Sequence, residues 1–179
     1  MPSSEWTSVG FNDLSETQRE LYDRAEMARS TFGAEMMGRM TSVAFGEGYP
    51  AAINVCAQEA NGIASDVGRR FNVGLGRTSV RLRNSTNTAP AWATSHVQTV
   101  GNVPARGVYN YIVASDQGEL GVLSPISVGP SCLNCHGSAE QLDPGVADVL
   151  AELYPNDSAT GFAEDDLRGW YWVELGAPQ

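Results

Sequence analysis

Leu21, Ala25, Ala28, Phe32, Met36 and Met40 recur every three or four positions in the first third of the chain, the spacing of one face of an α-helix. The run opens on SETQ, where Gln18 stands three residues after Ser15, so each side chain can satisfy the other's backbone donor in a capping box. It stops in FGEGYP, residues 45–50, where two glycines and a proline break the pattern. The spacing predicts a long amphipathic helix over 15–45, whose apolar stripe needs a covering surface.

The next segment continues in helical register. Pro50 suits the first turn of a helix, where its missing N–H has no partner to lose. Ile53, Cys56, Ala60, Ile63, Ala64 and Val67 share one face, which turns Cys56 inward. Two alanines on that face, Ala60 and Ala64, leave room for a flat, bulky object close to the helix.

After Arg70 the period shifts toward two. RTSVRLRN, residues 77–84, puts Thr78, Val80 and Leu82 on one side of a strand and Ser79, Arg81 and Arg83 on the other. VYNYIVASDQGELGVLSPISV reads as two further strands around a turn at Asp116 to Gly118. DPGVADVLAELYP makes a short helix with Pro144 in its first turn, and GWYWVEL closes the chain as an aromatic strand. Helices first, then a meander of strands, then small helices and a last strand define an α+β class. With 179 residues, 42% of them hydrophobic, the chain is expected to form one domain over 1–179, its N-terminal helix followed by a core over 50–175, without disulfide staples.

Charge narrows the partners. The net charge is −10, and the eleven basic residues are all arginine, so the chain repels phosphate backbones and nucleic acid is excluded as a partner. An anionic membrane surface is disfavoured for the same reason. No run of eighteen or more apolar residues occurs, so no bilayer span is expected. MPSSEWTSVGFND has neither the charged nor the apolar region of a secretory signal.

The chemistry concentrates in SCLNCHG, residues 131–137. Cys132, Cys135 and His136 form C-x-x-C-H, the attachment signature of a c-type haem. Two thiols at this spacing can each add to one vinyl group of the same porphyrin, and the following imidazole becomes the proximal iron ligand. Three other readings stand beside it. A zinc site could draw on Cys56, Cys132, Cys135 and one of His96 or His136. A thioredoxin-like dithiol would want the pair at the start of a helix in a βαβ unit. A Cys132–Cys135 disulfide would close a small strained loop and leave His136 without a purpose. The haem reading also sets a compartment, because this attachment is made on exported chains; a periplasmic or otherwise extracytoplasmic domain is expected, its signal or anchor segment lying outside this chain.

Candidates for the sixth iron position are Cys56, His96 and the methionines, among which Met36, Met37 and Met40 lie near the end of the first helix. A free thiol is exposed to oxidation outside the cytoplasm, and burial with iron coordination would protect Cys56. A buried cysteine acting as a small hydrophobe is the plainer alternative.

AAINVCAQEA, VGLGRTSVRLRNSTNTAPAW, LSPISVGPSCLNCHG and YPNDSATGFAEDDLRGWYWVEL occur in an order and spacing that resembles the PAS-like single-c-haem domains with cysteine and histidine axial ligands. These occur alone or as sensor domains of membrane kinases and receptors. The resemblance runs from about Ala51 to Leu175. It implies a PAS-like antiparallel sheet flanked by helices, thioether bonds from Cys132 and Cys135, and axial ligation by His136 and Cys56. The chain has Ala93 and Thr94 where that family usually carries a glutamate, and His96 falls outside its pattern. Arg77 and Arg83 are candidates to pair with the haem propionates, because a guanidinium grips a carboxylate with two parallel hydrogen bonds.

A thiolate ligand stabilises ferric iron and lowers its potential; on reduction its hold weakens, which can open a position to a diatomic gas. A redox or gas sensor is therefore expected, with the N-terminal helix as transmitter and as a possible homodimer contact. A small electron-transfer cytochrome that keeps both ligands and docks a redox partner protein is the alternative. No acid/base pair beyond His96 points to an enzyme.

Overall fold

The computed structural model describes residues 5–176; residues 1–4 and 177–179, the two ends of the expected single domain, lie outside the described residues. The described chain begins with an edge strand, β1 (Trp6–Ser8), and a 3-10 turn (Phe11–Asp13). The expected long helix follows as α1 (Glu16–Glu47). Its capping box forms: the Ser15 N–H donates to Gln18 Oε1 at 2.9 Å and the Gln18 N–H to Ser15 Oγ at 3.2 Å. The helix stops at Gly48, whose positive φ of 91° suits a residue without a Cβ.

The second helical segment is not continuous. It runs as α2 (Tyr49–Asn54), a π-helical turn (Val55–Glu59) and α3 (Ala60–Phe71). Inserting a wider turn shifts the register, so Val55 is buried and Cys56 stands half-buried at the edge of the face it was expected to share. Four strands complete the sheet: β2 (Gly74–Thr78), β3 (Tyr111–Ser115), β4 (Leu120–Ser127) and β5 (Leu167–Leu175). Between β2 and β3 lies α4 (Ala91–Val100). Between β4 and β5 the chain makes a 3-10 turn (Pro130–Cys132), a one-turn helix α5 (Leu133–His136) and α6 (Val146–Leu153).

The sheet has the order β1-β3-β4-β5-β2 with every pair antiparallel. One face carries Leu75, Ile112, Leu120, Val122, Val173 and Leu175 against the α1 stripe of Leu21, Ala25, Ala28, Phe32 and Met36. The other carries Leu123 and Trp170 against Ala93 and Val97 of α4. Burying side chains such as Phe32 and Trp170, each 1% exposed, stabilises the fold by about 1.5–3 kcal/mol apiece. The class is α+β, as expected, with a long N-terminal helix on a five-stranded antiparallel sheet. No helix among the described residues is long and apolar enough to cross a membrane.

Two local expectations are corrected, and one helix was not foreseen. The strand expected over 77–84 lies earlier, at Gly74–Thr78. It ends there because Ser79 turns the chain: its hydroxyl donates to the Arg168 carbonyl at 2.8 Å and accepts the Arg81 N–H at 3.0 Å. Helix α4 was not legible, since only Ala93 and Val97 are buried along it. Pro144 precedes the short helix rather than entering its first turn; Gly145, with φ of 83°, caps it.

Gly169 sits where β5 bulges against β4 and closes on β2. A Cβ there would collide with the Thr78 carbonyl oxygen and stand 2.9 Å from Ser79 Cβ. Gly169→Ala is expected to destabilise the fold by about 1–3 kcal/mol, read as a lower urea midpoint at unchanged slope.

Candidate functional site

The ends of β2, β4 and β5 meet the last turns of α1, helix α2 and the Cys132–His136 turn around a cavity of about 500 Å³, within the range of roughly 300–1,000 Å³ usual for small-molecule and cofactor sites. Cys56, Arg77, Arg83, Cys132, Cys135 and His136 all line it. These six residues come from three separate stretches of chain.

His136 ends the one-turn helix α5. Its Nδ1 lies 2.6 Å from the Ala159 carbonyl oxygen, which can only accept, so Nδ1 carries the proton and Nε2 keeps its lone pair. Loss of hydration, followed by the Arg168 and Arg83 charges, holds the imidazole's pKa well below its ordinary value. The ring is therefore neutral, the form a metal binds, with the second-shell carbonyl that commonly orients a ligating histidine.

Arg83 fixes the turn from below. Its Nη2 donates to the Cys135 carbonyl at 2.6 Å and to the Ala159 carbonyl at 3.2 Å, while Nε donates to Asp157 at 3.0 Å. The two side chains of this ion pair are 7% and 9% exposed. Asp157 in turn accepts the Ala159 N–H at 2.8 Å. One buried pair therefore couples the cysteine turn to the segment that orients His136. Arg77 differs: its guanidinium lies 5.8 Å over the Phe32 ring and has no carboxylate partner among the described residues.

Arg168 was missed by sequence reasoning. Its Nη1 donates to the Arg81 carbonyl at 3.1 Å, and its Nε lies 3.5 Å from His136 Nε2, too long for a strong bond. Burial, then the Arg83 and Arg77 charges, push the guanidinium down to about 9. A signal existed: Arg168 is the one cation in a final strand that is mostly apolar and aromatic. Three arginines thus face a cavity whose described lining contains no acidic residue, in a chain of net charge −10.

All three cysteines are free thiols, so no Cys132–Cys135 disulfide forms. Burial pushes the Cys135 thiol up to about 11. Cys132 Sγ accepts the Gly129 N–H at 3.4 Å. Cys56 donates its S–H to Met40 Sδ at 3.5 Å. No group of three or more histidine, cysteine or acidic side chains is placed to hold a metal among the described residues, so the four-ligand zinc set does not assemble. His96 is remote from the cavity lining; it stacks on Tyr111 at 3.8 Å and meets Trp170 edge-on at 5.4 Å.

A haem fits this donor set: two free thiols on one turn, a neutral imidazole with its metal-binding nitrogen available, a third sulfur on another wall, and unpaired guanidinium charge where propionates would enter. Fold and site together define a small α+β domain built around a C-x-x-C-H turn. The chain belongs to the Tll0287-like family, whose model, described as Tll0287, matches residues 11–175. A solved structure, that of the cyanobacterial heme-protein Tll0287, is similar in fold, with a TM-score of 0.60 and 19% sequence identity over 93% of this chain and 98% of that one. No curated protein sequence matches the chain.

Proposed function

We propose that this chain is a haem-binding domain of c type, acting outside the cytoplasm as a redox or diatomic-gas sensor. The observation that carries the reading is the bond from His136 Nδ1 to the Ala159 carbonyl, which reserves Nε2 for a metal beside two free thiols at the attachment spacing. Membership of the Tll0287-like family and fold similarity to a protein described as a heme-protein support it.

In this reading Cys132 and Cys135 would hold the haem covalently, His136 and Cys56 would be its iron ligands, and Arg77 and Arg168 would pair with its propionates. The haem supplies one-electron iron chemistry. The chain's own residues orient it: Ala159 fixes the imidazole tautomer, and Arg83 with Asp157 keeps the turn in place. The domain's sensing role rests on Cys56, which lies in a π-helical turn, a feature frequent at functional sites.

Electron transfer is the second reading. Phe45 and Met37, 91% and 44% exposed, stand at the cavity mouth and favour it, because apolar surface beside a haem edge suits a transient redox partner.

Spectra of the ferric and ferrous protein separate the two. A carbon monoxide adduct of the ferrous form is expected for the sensor, and an unchanged six-coordinate spectrum for the carrier. Cys56→Ser is expected to alter the ferric spectrum and raise the potential; a variant silent in both measurements removes Cys56 from the iron.

A further inference from the structure

The cavity brings a second sulfur to the position assigned to Cys56. Met40 Sδ lies 3.5 Å from Cys56 Sγ, and both side chains line the same wall. We propose that Met40 is an alternative iron ligand held beside the first: one-electron reduction trades the Cys56 thiolate for the Met40 thioether. The inference rests on the haem reading above and specifies what occupies the position that Cys56 leaves.

The exchange balances. An external one-electron donor reduces Fe(III) to Fe(II); the iron–thiolate bond breaks, with both bonding electrons staying on sulfur, which takes a proton from solvent. The thioether lone pair of Met40 then forms the new bond, and the chain loses no atoms.

Three observations make this exchange available to these residues. First, sulfurs this close reach a common point by side-chain rotation alone, and methionine has three rotatable bonds on an unbranched chain. Met40 is half-buried where the α1 stripe passes from core to cavity, so its side chain is not locked as Met36 is at 2% exposure. Second, Cys56 stands in the π-helical turn Val55–Glu59. Relaxing that turn to α-geometry would carry a side chain about 100° around the axis, enough to change where Cys56 points. Third, the two ligands differ in the required direction: thiolate favours ferric iron, and methionine opposite histidine raises the potential and favours the ferrous state.

A consequence follows for gas binding. Carbon monoxide or nitric oxide meets an occupied position, so apparent affinity is reduced by the fraction of time that Met40 leaves it open.

The test uses the haem-loaded full chain and Met40→Leu, a swap of similar volume that the half-buried site tolerates. Its ferric spectrum is expected to match the parent's, while its ferrous spectrum changes from six-coordinate low-spin to five-coordinate high-spin. Carbon monoxide affinity of the ferrous variant should rise about tenfold or more if Met40 holds the site nine-tenths of the time. A ferrous spectrum identical to the parent's overturns the proposal; so does a change in the ferric spectrum, which would place Met40 on the iron in both states. Cys56→Ser separates this failure from failure of the underlying reading. If that variant alters the ferric spectrum and leaves the ferrous one unchanged, the exchange is supported. If its ferric spectrum is unaltered, Cys56 ligation itself is lost.

Discussion

The double variant Cys132→Ser, Cys135→Ser is expected to surrender its haem to acidified organic solvent, whereas the parent chain keeps it through denaturation. In the proposed reading the physical reason is the number of covalent links. The 3-10 turn Pro130–Cys132 and the one-turn helix Leu133–His136 present both thiols along one short arc, and both line the cavity. Removing both leaves only metal–ligand bonds and propionate contacts, which denaturant breaks. Intact mass gives the quantitative readout: the parent should exceed the bare polypeptide by one haem, each single variant should retain one link, and the double variant none. A parent chain produced by an organism with haem-attachment machinery, yet weighing no more than the polypeptide, would end the reading.

Arg83→Ala is expected to be the most destabilising single substitution around the cavity. It leaves Asp157 buried without its partner and deprives the Cys135 and Ala159 carbonyls of a donor. Breaking one side of a buried pair costs about 3–5 kcal/mol, which for a domain of this size lowers the melting temperature by roughly 10 °C. Arg77 provides the internal comparison: with no carboxylate partner among the described residues, Arg77→Leu should change stability by less than about 1 kcal/mol. Thermal unfolding of the two variants side by side checks the contrast. Equal losses would mean that the Arg83–Asp157 pair does not anchor the turn. The pair therefore gives Arg83 a different part from the one its sequence position suggested: two of its nitrogens are already committed to the chain.

Much of this architecture could be read from the residues in order. The Ser15–Gln18 box and the stripe from Leu21 to Met36 placed α1, because capping and a sustained helical period are local signals. The Asp116–Gly118 turn placed the β3–β4 hairpin for the same reason, with Gly118 at φ 84° as such a turn requires. What failed was non-local. The alternation in TSVRLRN is that of a strand, yet Arg81 donates to the Ser158 and Thr160 carbonyls and Arg83 to Cys135 and Ala159. Those guanidinium bonds, spanning 52 to 79 residues of sequence, dictate the path there in place of a sheet ladder. The widened turn at Cys56 likewise leaves no trace in composition. Among the cavity-lining residues, Cys132, Cys135 and His136 could be singled out as candidates because haem attachment needs a fixed spacing. Arg168 and the Met40–Cys56 pairing depend on which elements the tertiary fold brings together.

Helix α1 has a mechanical consequence. At 32 residues it is a rod of about 48 Å, with Met36, Met40 and Ala44 at the cavity end and its first turn near the β1 edge of the sheet. A stiff rod does not dilute displacement along its length: an axial push arrives whole, and a tilt of about one degree at the cavity end swings the far tip by about 0.8 Å. Ångström-scale displacement of this helix's backbone at the cavity would therefore register as piston or lever motion at its far end.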